Sequence, residues 1–176
     1  MDWQSFAALV MPFKDKMYRL AFSVTGDTGL AEDVLQDVFI KLWDQREQLK
    51  TIDNLGAWCM RMTRNQAIDK TRSRHFKVSA IPEGFDKKDP EADPAQLTEQ
   101  ADTLAHLQSW MRQLPPAQRE VIQLRDVEGF TYEEIGATLQ LSASQVKVYL
   151  HRARLFLREK VQHLMTSKTG ATRNRT

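Results

Sequence analysis

"TYEEIGATLQLSASQVKVYLHRAR", residues 131–154, carries two helix-start signals eleven residues apart. Thr131 is followed three residues on by Glu134, and Ser142 three residues on by Gln145. Each pair fits a capping box, in which the hydroxyl accepts an orphan backbone N–H and the longer side chain reaches back to the cap's own N–H. The apolar spacing puts Ile135 and Leu139 on one side of the first helix, and Val146, Leu150, Ala153 and Leu157 on one side of the second. Leu141 sits at the junction. Facing apolar stripes joined by about three residues cannot stack end to end, so the helices must cross, as in a helix-turn-helix whose second helix enters the DNA major groove.

With Val146 and Leu150 inward, the opposite face shows Ser144, Lys147, Val148, His151, Arg152 and Leu155. Ser, Lys, His and Arg can hydrogen-bond base edges or phosphates, and Val148 suits contact with a thymine methyl. The N–H groups at the start of the helix suit a phosphate. Two packed surface helices with no DNA role remain the alternative on pattern alone. Gln140 occupies the turn position where such motifs usually place glycine. That predicts a slightly irregular turn with a strain of roughly 1 kcal/mol. Gly136 is a small residue where the helices need close approach, and Tyr149 falls at the core edge.

The rest of the chain must explain what such an element serves. At 176 residues with 41% apolar side chains, it has room for one ordinary domain or two small ones. No apolar run approaches a membrane span, and the front of "MDWQSFAALVMPFKDK" lacks the basic flank of a secretion signal. A soluble, cytoplasmic protein without membrane insertion is therefore expected. One cysteine, Cys59, excludes an internal disulfide or a multi-cysteine zinc site and reads as a packing residue. The net charge of +2 hides a strong asymmetry. Residues 61–77 hold six Lys/Arg against Asp69, residues 79–104 seven acids against Lys87 and Lys88, and residues 147–176 eight Lys/Arg against Glu159. Two basic patches around an acidic stretch point to two meetings with a polyanion, with solvated helix faces as the plain alternative.

An all-α fold follows from the periodicity: two small helical domains joined by a flexible linker. Trp3, Phe6, Val10, Phe13, Met17, Leu20 and Val24 predict one continuous helical stripe, with Gly26 as its stop. Asp27 or Thr28 then caps a helix to about Trp43, and a third runs from about Leu55 to Arg74 with Trp58, Met62 and Asn65 inward. The expected boundaries are a first domain over 1–77, an acidic proline-containing linker over 78–101, a four-helix domain over 102–165 and a polar tail over 166–176. In that second domain Pro116 is placed to open a helix carrying Val121, Ile122 and Leu124, which Gly129 closes.

The second helix poses its own question. "AEDVLQDVFIKLW" gathers Glu32, Asp33, Gln36 and Asp37 on one outward face. Like charges so close do not favour folding. A metal site, a solvated face and a dock for a basic partner all remain open at this point. The four histidines, His75, His106, His151 and His163, are scattered without paired spacing, so neither catalysis nor a cofactor is expected.

Three segments together resemble the bacterial sigma factors, specifically the short two-domain type called extracytoplasmic-function (ECF) sigma factors. "GLAEDVLQDVFIKLW" resembles their polymerase-docking helix, and "NLGAWCMRMTRNQAIDKTRSR" their promoter-melting helix. The stretch from "LQSWMRQLPPAQRE" through "VYLHRAR" is similar to their promoter-reading domain. The resemblance implies a promoter-specificity subunit that binds core RNA polymerase, recognises both promoter elements and assists DNA opening. It makes Asp33, Gln36 and Asp37, with Glu32 at the rim, a dock for the coiled coil on the clamp of the polymerase β′ subunit. It places Lys50, Thr51, Ile52, Asp53 and Asn54 in a loop that holds a flipped base, and Arg61, Arg64, Lys70, Arg72 and Arg74 on DNA. Asn65 and Asp69 match a polar pair expected to be structural. Ser144, Lys147, Val148, His151 and Arg152 would read the more distant promoter element, though members often carry Ser and Arg where Val148 and Tyr149 stand. An anti-sigma factor is a further implied partner. The competing reading is a conventional helix-turn-helix regulator that never binds polymerase.

Overall fold

Local signals set the helix ends before packing does. Asp2 accepts the Ser5 N–H at 2.8 Å and starts α1, Trp3–Val10. Pro12 has no N–H to donate and falls in a tight turn, Met11–Phe13, before α2, Lys14–Thr25. The single helix expected from the apolar stripe is therefore two. The stripe itself survives, because Phe6, Val10, Met17 and Leu20 are all buried across the break. Gly26, at φ 66°, ends α2 in the left-handed conformation. Asp27 then caps α3, Thr28–Asp44, by accepting the Leu30 N–H at 2.9 Å. A short turn, Gln48–Thr51, buries Leu49 and leads to α4, Leu55–Ser79.

The computed structural model describes residues 1–79 and 99–172, with side chains for 1–74 and 103–166. Most of the expected linker, and the end of the expected tail, lie outside the described residues. All regular elements among the described residues are helical. The second region holds α5, Glu99–Gln113, and α6, Pro116–Ile122, which runs on into one wide turn, Gln123–Val127. Glu128 closes that turn by donating its N–H to the Gln123 carbonyl at 3.1 Å, and Gly129 at φ 78° ends it. Helices α7, Tyr132–Leu139, and α8, Ala143–Thr172, complete the chain.

In the first region α2, α3 and α4 pack side by side around Met17, Leu20, Val34, Val38, Leu42 and Met60, all buried. In the second, Val121, Leu124, Ile135, Val146 and Leu150 play the same part. Cys59 is buried in the first core, where loss of water pushes its thiol pKa up to about 12, so it packs as expected of it. One inward expectation fails: Asn65 is exposed, since the stripe through Met60, Thr63 and Ala67 turns it outward. The two regions also touch, with α7 against α4 and α6 against α2.

Candidate nucleic-acid interface and docking face

Both capping boxes form. Glu134 N–H donates to Thr131 Oγ1 at 3.2 Å and Thr131 N–H to Glu134 Oε2 at 2.7 Å. At the start of α8 the Gln145 N–H donates to Ser142 Oγ at 3.2 Å and the Ser142 N–H to Gln145 Oε1 at 2.9 Å. Between them Gln140 adopts φ 58°, ψ 45° and takes the left-handed cap itself, the one non-glycine residue to do so among those described. The turn is therefore regular, and the strain sits in the backbone of one residue. A Cβ on Gly136 would lie 2.8 Å from the Leu141 carbonyl oxygen, so the close approach is of backbone to backbone.

Val146, Leu150 and Ala153 are buried, which fixes the rotation of α8. Ser144, Lys147, Val148, His151 and Arg152 are consequently all exposed along one face, and Tyr149 is half-buried. The Ser144 hydroxyl lies 3.0 Å from that of Ser142, close to the helix start. Arg154 does not join this face. Its guanidinium grips Asp126 through two bonds of 3.0 and 2.6 Å and ties α8 to the turn after α6.

On α3, Glu32, Asp33 and Gln36 are exposed beside Ile40, which is 61% exposed. Asp37 differs from them. Its Oδ2 accepts from Gln66 at 2.8 Å and pairs with Lys70 at 2.9 Å, both on α4. Sequence spacing placed Asp37 with its neighbours and missed Gln66, which also accepts from Lys41.

The loop before α4 spreads its residues. Lys50 and Thr51 are exposed in the short turn, Ile52 is half-buried, and Asp53 and Asn54 are exposed. Asn54 has two roles at once: its Oδ1 accepts the Ala57 N–H at 2.9 Å and caps α4, while its amide donates to Glu134 Oε1 at 2.8 Å. With the Thr131 N–H bond as the larger cause and Asn54 the next, the Glu134 carboxyl is held below its ordinary value of 4.5. Along α4, Arg61 is exposed, but four cations expected on DNA already hold acids. Arg64 pairs with Glu120 at 2.5 Å, Lys70 with Asp37, Arg72 with Asp69 at 2.9 Å and Arg74 with Asp27 at 2.6 Å.

Sequence reasoning missed Glu120 and Glu128 altogether. Both are buried acids of the second region, 3% and 5% exposed, and both are answered from the first. Arg19 donates to Glu128 through two bonds of 2.9 and 2.8 Å, and Gln123 adds a third at 2.9 Å. The only hint in the sequence is that Glu120 stands directly before the apolar Val121 and Ile122. Beside these pairs runs a cleft of 430 Å³, lined by Lys16, Asp53, Asn54, Glu128, Phe130 and Glu134 among others.

Comparison with known proteins gives a consistent answer. Residues 9–76 match the model for sigma-70 region 2, and residues 105–157 that for sigma-70 region 4. The ECF RNA polymerase sigma factor SigE of Mycolicibacterium smegmatis is 36% identical over 159 residues, 88% of this chain but 61% of that protein, so the chain spans less than two thirds of it. SigW of Bacillus subtilis, also an ECF RNA polymerase sigma factor, is 27% identical over 172 residues, covering 93% of this chain and 92% of the relative. Among solved structures, the sigma factor RpoE in complex with the anti-sigma factor NepR from Bartonella quintana superposes with a TM-score of 0.75, at 24% identity, covering 90% of this chain and 98% of that one. CnrH, solved with the cytosolic domain of CnrY, gives 0.64 at 24% identity, covering 92% and 90%. At such identity these two likenesses speak for the fold. Two family models matched in order, one on each helical region, agree with the relatives: the chain belongs to the bacterial RNA polymerase sigma factors, in their extracytoplasmic-function subfamily.

Proposed function

We propose that this chain is a promoter-specificity subunit that works in the cytoplasm, docks on core RNA polymerase through α3 and reads promoter DNA through α4 and α8. The observation that carries the reading is the separation of charge between elements. Carboxylates of Glu32 and Asp33 stand exposed on α3, while Lys147, His151 and Arg152 stand exposed on α8. An anionic face and a cationic face on different regions can hold a basic protein and a polyanion together. Glu32, Asp33, Gln36 and Asp37 form the dock for the β′ clamp coiled coil, with Ile40 as an apolar contact beside them. Asp37 enters it by giving up Lys70.

The first region, 1–77, melts DNA, and the second, 102–165, reads the distant element, with 78–101 between them and 166–176 as a tail. In the first, Lys50, Thr51, Ile52, Asp53 and Asn54 hold an extruded base, whose unstacking costs about a few kcal/mol that pocket contacts must offset. Arg61 holds phosphate directly, and Arg64, Lys70, Arg72 and Arg74 do so by exchanging protein carboxylates for DNA oxygens. In the second, Ser144, Lys147, Val148, His151 and Arg152 read the groove. An anti-sigma factor is the expected protein inhibitor, in keeping with the solved sigma factor of the same fold that is in complex with one.

The test is copurification of Asp33→Lys with core polymerase, followed by run-off transcription. Loss of both supports docking through α3. Retained copurification removes α3 from the interface and favours the conventional regulator.

A further inference from the structure

Asp37 and Lys41 stand one turn apart on α3, with the acid four residues before the lysine, the order that favours a direct ion pair on a helix. They do not make one. Asp37 pairs with Lys70 instead, and the side chain of Gln66 on α4 bridges the acid and Lys41. The amide is held in one orientation. Lys41 can only donate, so it takes Gln66 Oε1 at 2.5 Å, and the amide nitrogen is left to donate to Asp37 Oδ2 at 2.8 Å. Lys70 meets the same oxygen at 2.9 Å. Both contacts thus fall on Oδ2, while Oδ1 accepts no hydrogen bond among the described residues. The Asp37 side chain is 37% exposed, enough for Oδ1 to be reached from outside.

We propose that Gln66 is a positioning residue for the polymerase dock: it keeps Lys41 off Asp37, so that the acid offers an uncompensated charge to the basic coiled coil. The inference rests on the reading of Asp37 as part of that dock. In that reading Lys70 leaves Asp37 for a DNA phosphate, and the bond from Gln66 is then what still holds the carboxylate. A neutral donor suits the task, because it fixes one oxygen without cancelling the charge of the group. Lys41 is exposed, on a stem with many rotamers. With the Gln66 oxygen gone, its ammonium closes on Asp37 across the i, i+4 spacing, and an incoming cation must first displace it.

Titration of the fluorescently labelled full chain with core RNA polymerase tests this. Gln66→Ala should weaken docking about fivefold, the worth of one partly exposed ion pair. Removing the competing cation should undo the loss, so Gln66→Ala combined with Lys41→Met should bind within about twofold of wild type. In a chain already carrying Asp37→Asn, Gln66→Ala should change nothing further, because its effect runs through that carboxylate. Wild-type affinity for Gln66→Ala would overturn the inference. So would a loss that persists with Lys41→Met, or one of equal size in the Asp37→Asn chain, since either makes Gln66 a packing residue of α4. Copurification of Asp33→Lys keeps the two readings apart. If it survives, the dock itself is misplaced; if it is lost while Gln66→Ala binds at full affinity, the dock stands and Gln66 has no part in it.

Discussion

Gln140 and Gly136 meet opposite demands within one turn. Gln140 holds a left-handed backbone that side chains disfavour by roughly 1–2 kcal/mol, while glycine there would lose more chain entropy on folding. The balance predicts that Gln140→Gly stabilises the protein by about 0.5 kcal/mol in urea unfolding; a destabilised variant would show that its side chain holds the turn in another way. The left-handed demand was legible in the sequence because the motif itself requires it at that place. Asn65 was not legible, since a short polar residue beside an apolar stripe has no sign that tells edge from interior. Asp37 and Arg74 show the same limit, because an ion pair 33 residues away (70 − 37) or 47 residues away leaves no local trace.

At the scale of elements, caps decide most of the architecture. Thr131 and Glu134 satisfy each other's backbone groups, so Thr131→Ala should cost about 1 kcal/mol, read by chemical unfolding. Glu134 also makes that cap pH-dependent. Its folded pKa is depressed, so its contribution is complete above the ordinary 4.5 and disappears as pH falls through the lower folded value. Glu134→Gln should therefore flatten the acid limb of the stability profile below pH 4.5; an unchanged limb would mean that other carboxyls set it. On α8, Lys147→Ala should reduce the salt dependence of DNA binding by about 0.9 in the log–log slope if it neutralises one phosphate. Equal slopes for the variant and the wild type would remove Lys147 from the phosphate contacts. Helix starts were legible because their signals are local. The break at Pro12 was overlooked because apolar spacing of three and four residues passes through a tight turn undisturbed.

The whole molecule is organised by charges that the sequence scatters. Glu128 and its partner Arg19 are 109 residues apart, and an acid read alone looks like surface. Only the packed chain shows that Glu128, like Glu120, is buried where the two regions touch. By contrast, Glu32 and Asp33, two of the acids proposed for docking, look like surface and are surface. Asp33→Lys should therefore leave unfolding free energy within about 0.5 kcal/mol of wild type while removing polymerase binding; a large loss of stability would make the helix face structural. Among the described residues no helix is long and apolar enough to cross a membrane, as the hydropathy pattern led one to expect.

The missing Cβ of Gly136 has a last consequence. Because the Leu141 carbonyl already sits where that atom would go, the closest approach in the turn between the last two helices is main chain on main chain. What the final rod contacts and how it is aimed are thus stored in different residues. If the five outward side chains read bases as proposed, exchanging them redirects the rod to another base sequence with no repacking beneath, whereas one added methyl at position 136 would tilt the rod and disturb all five together.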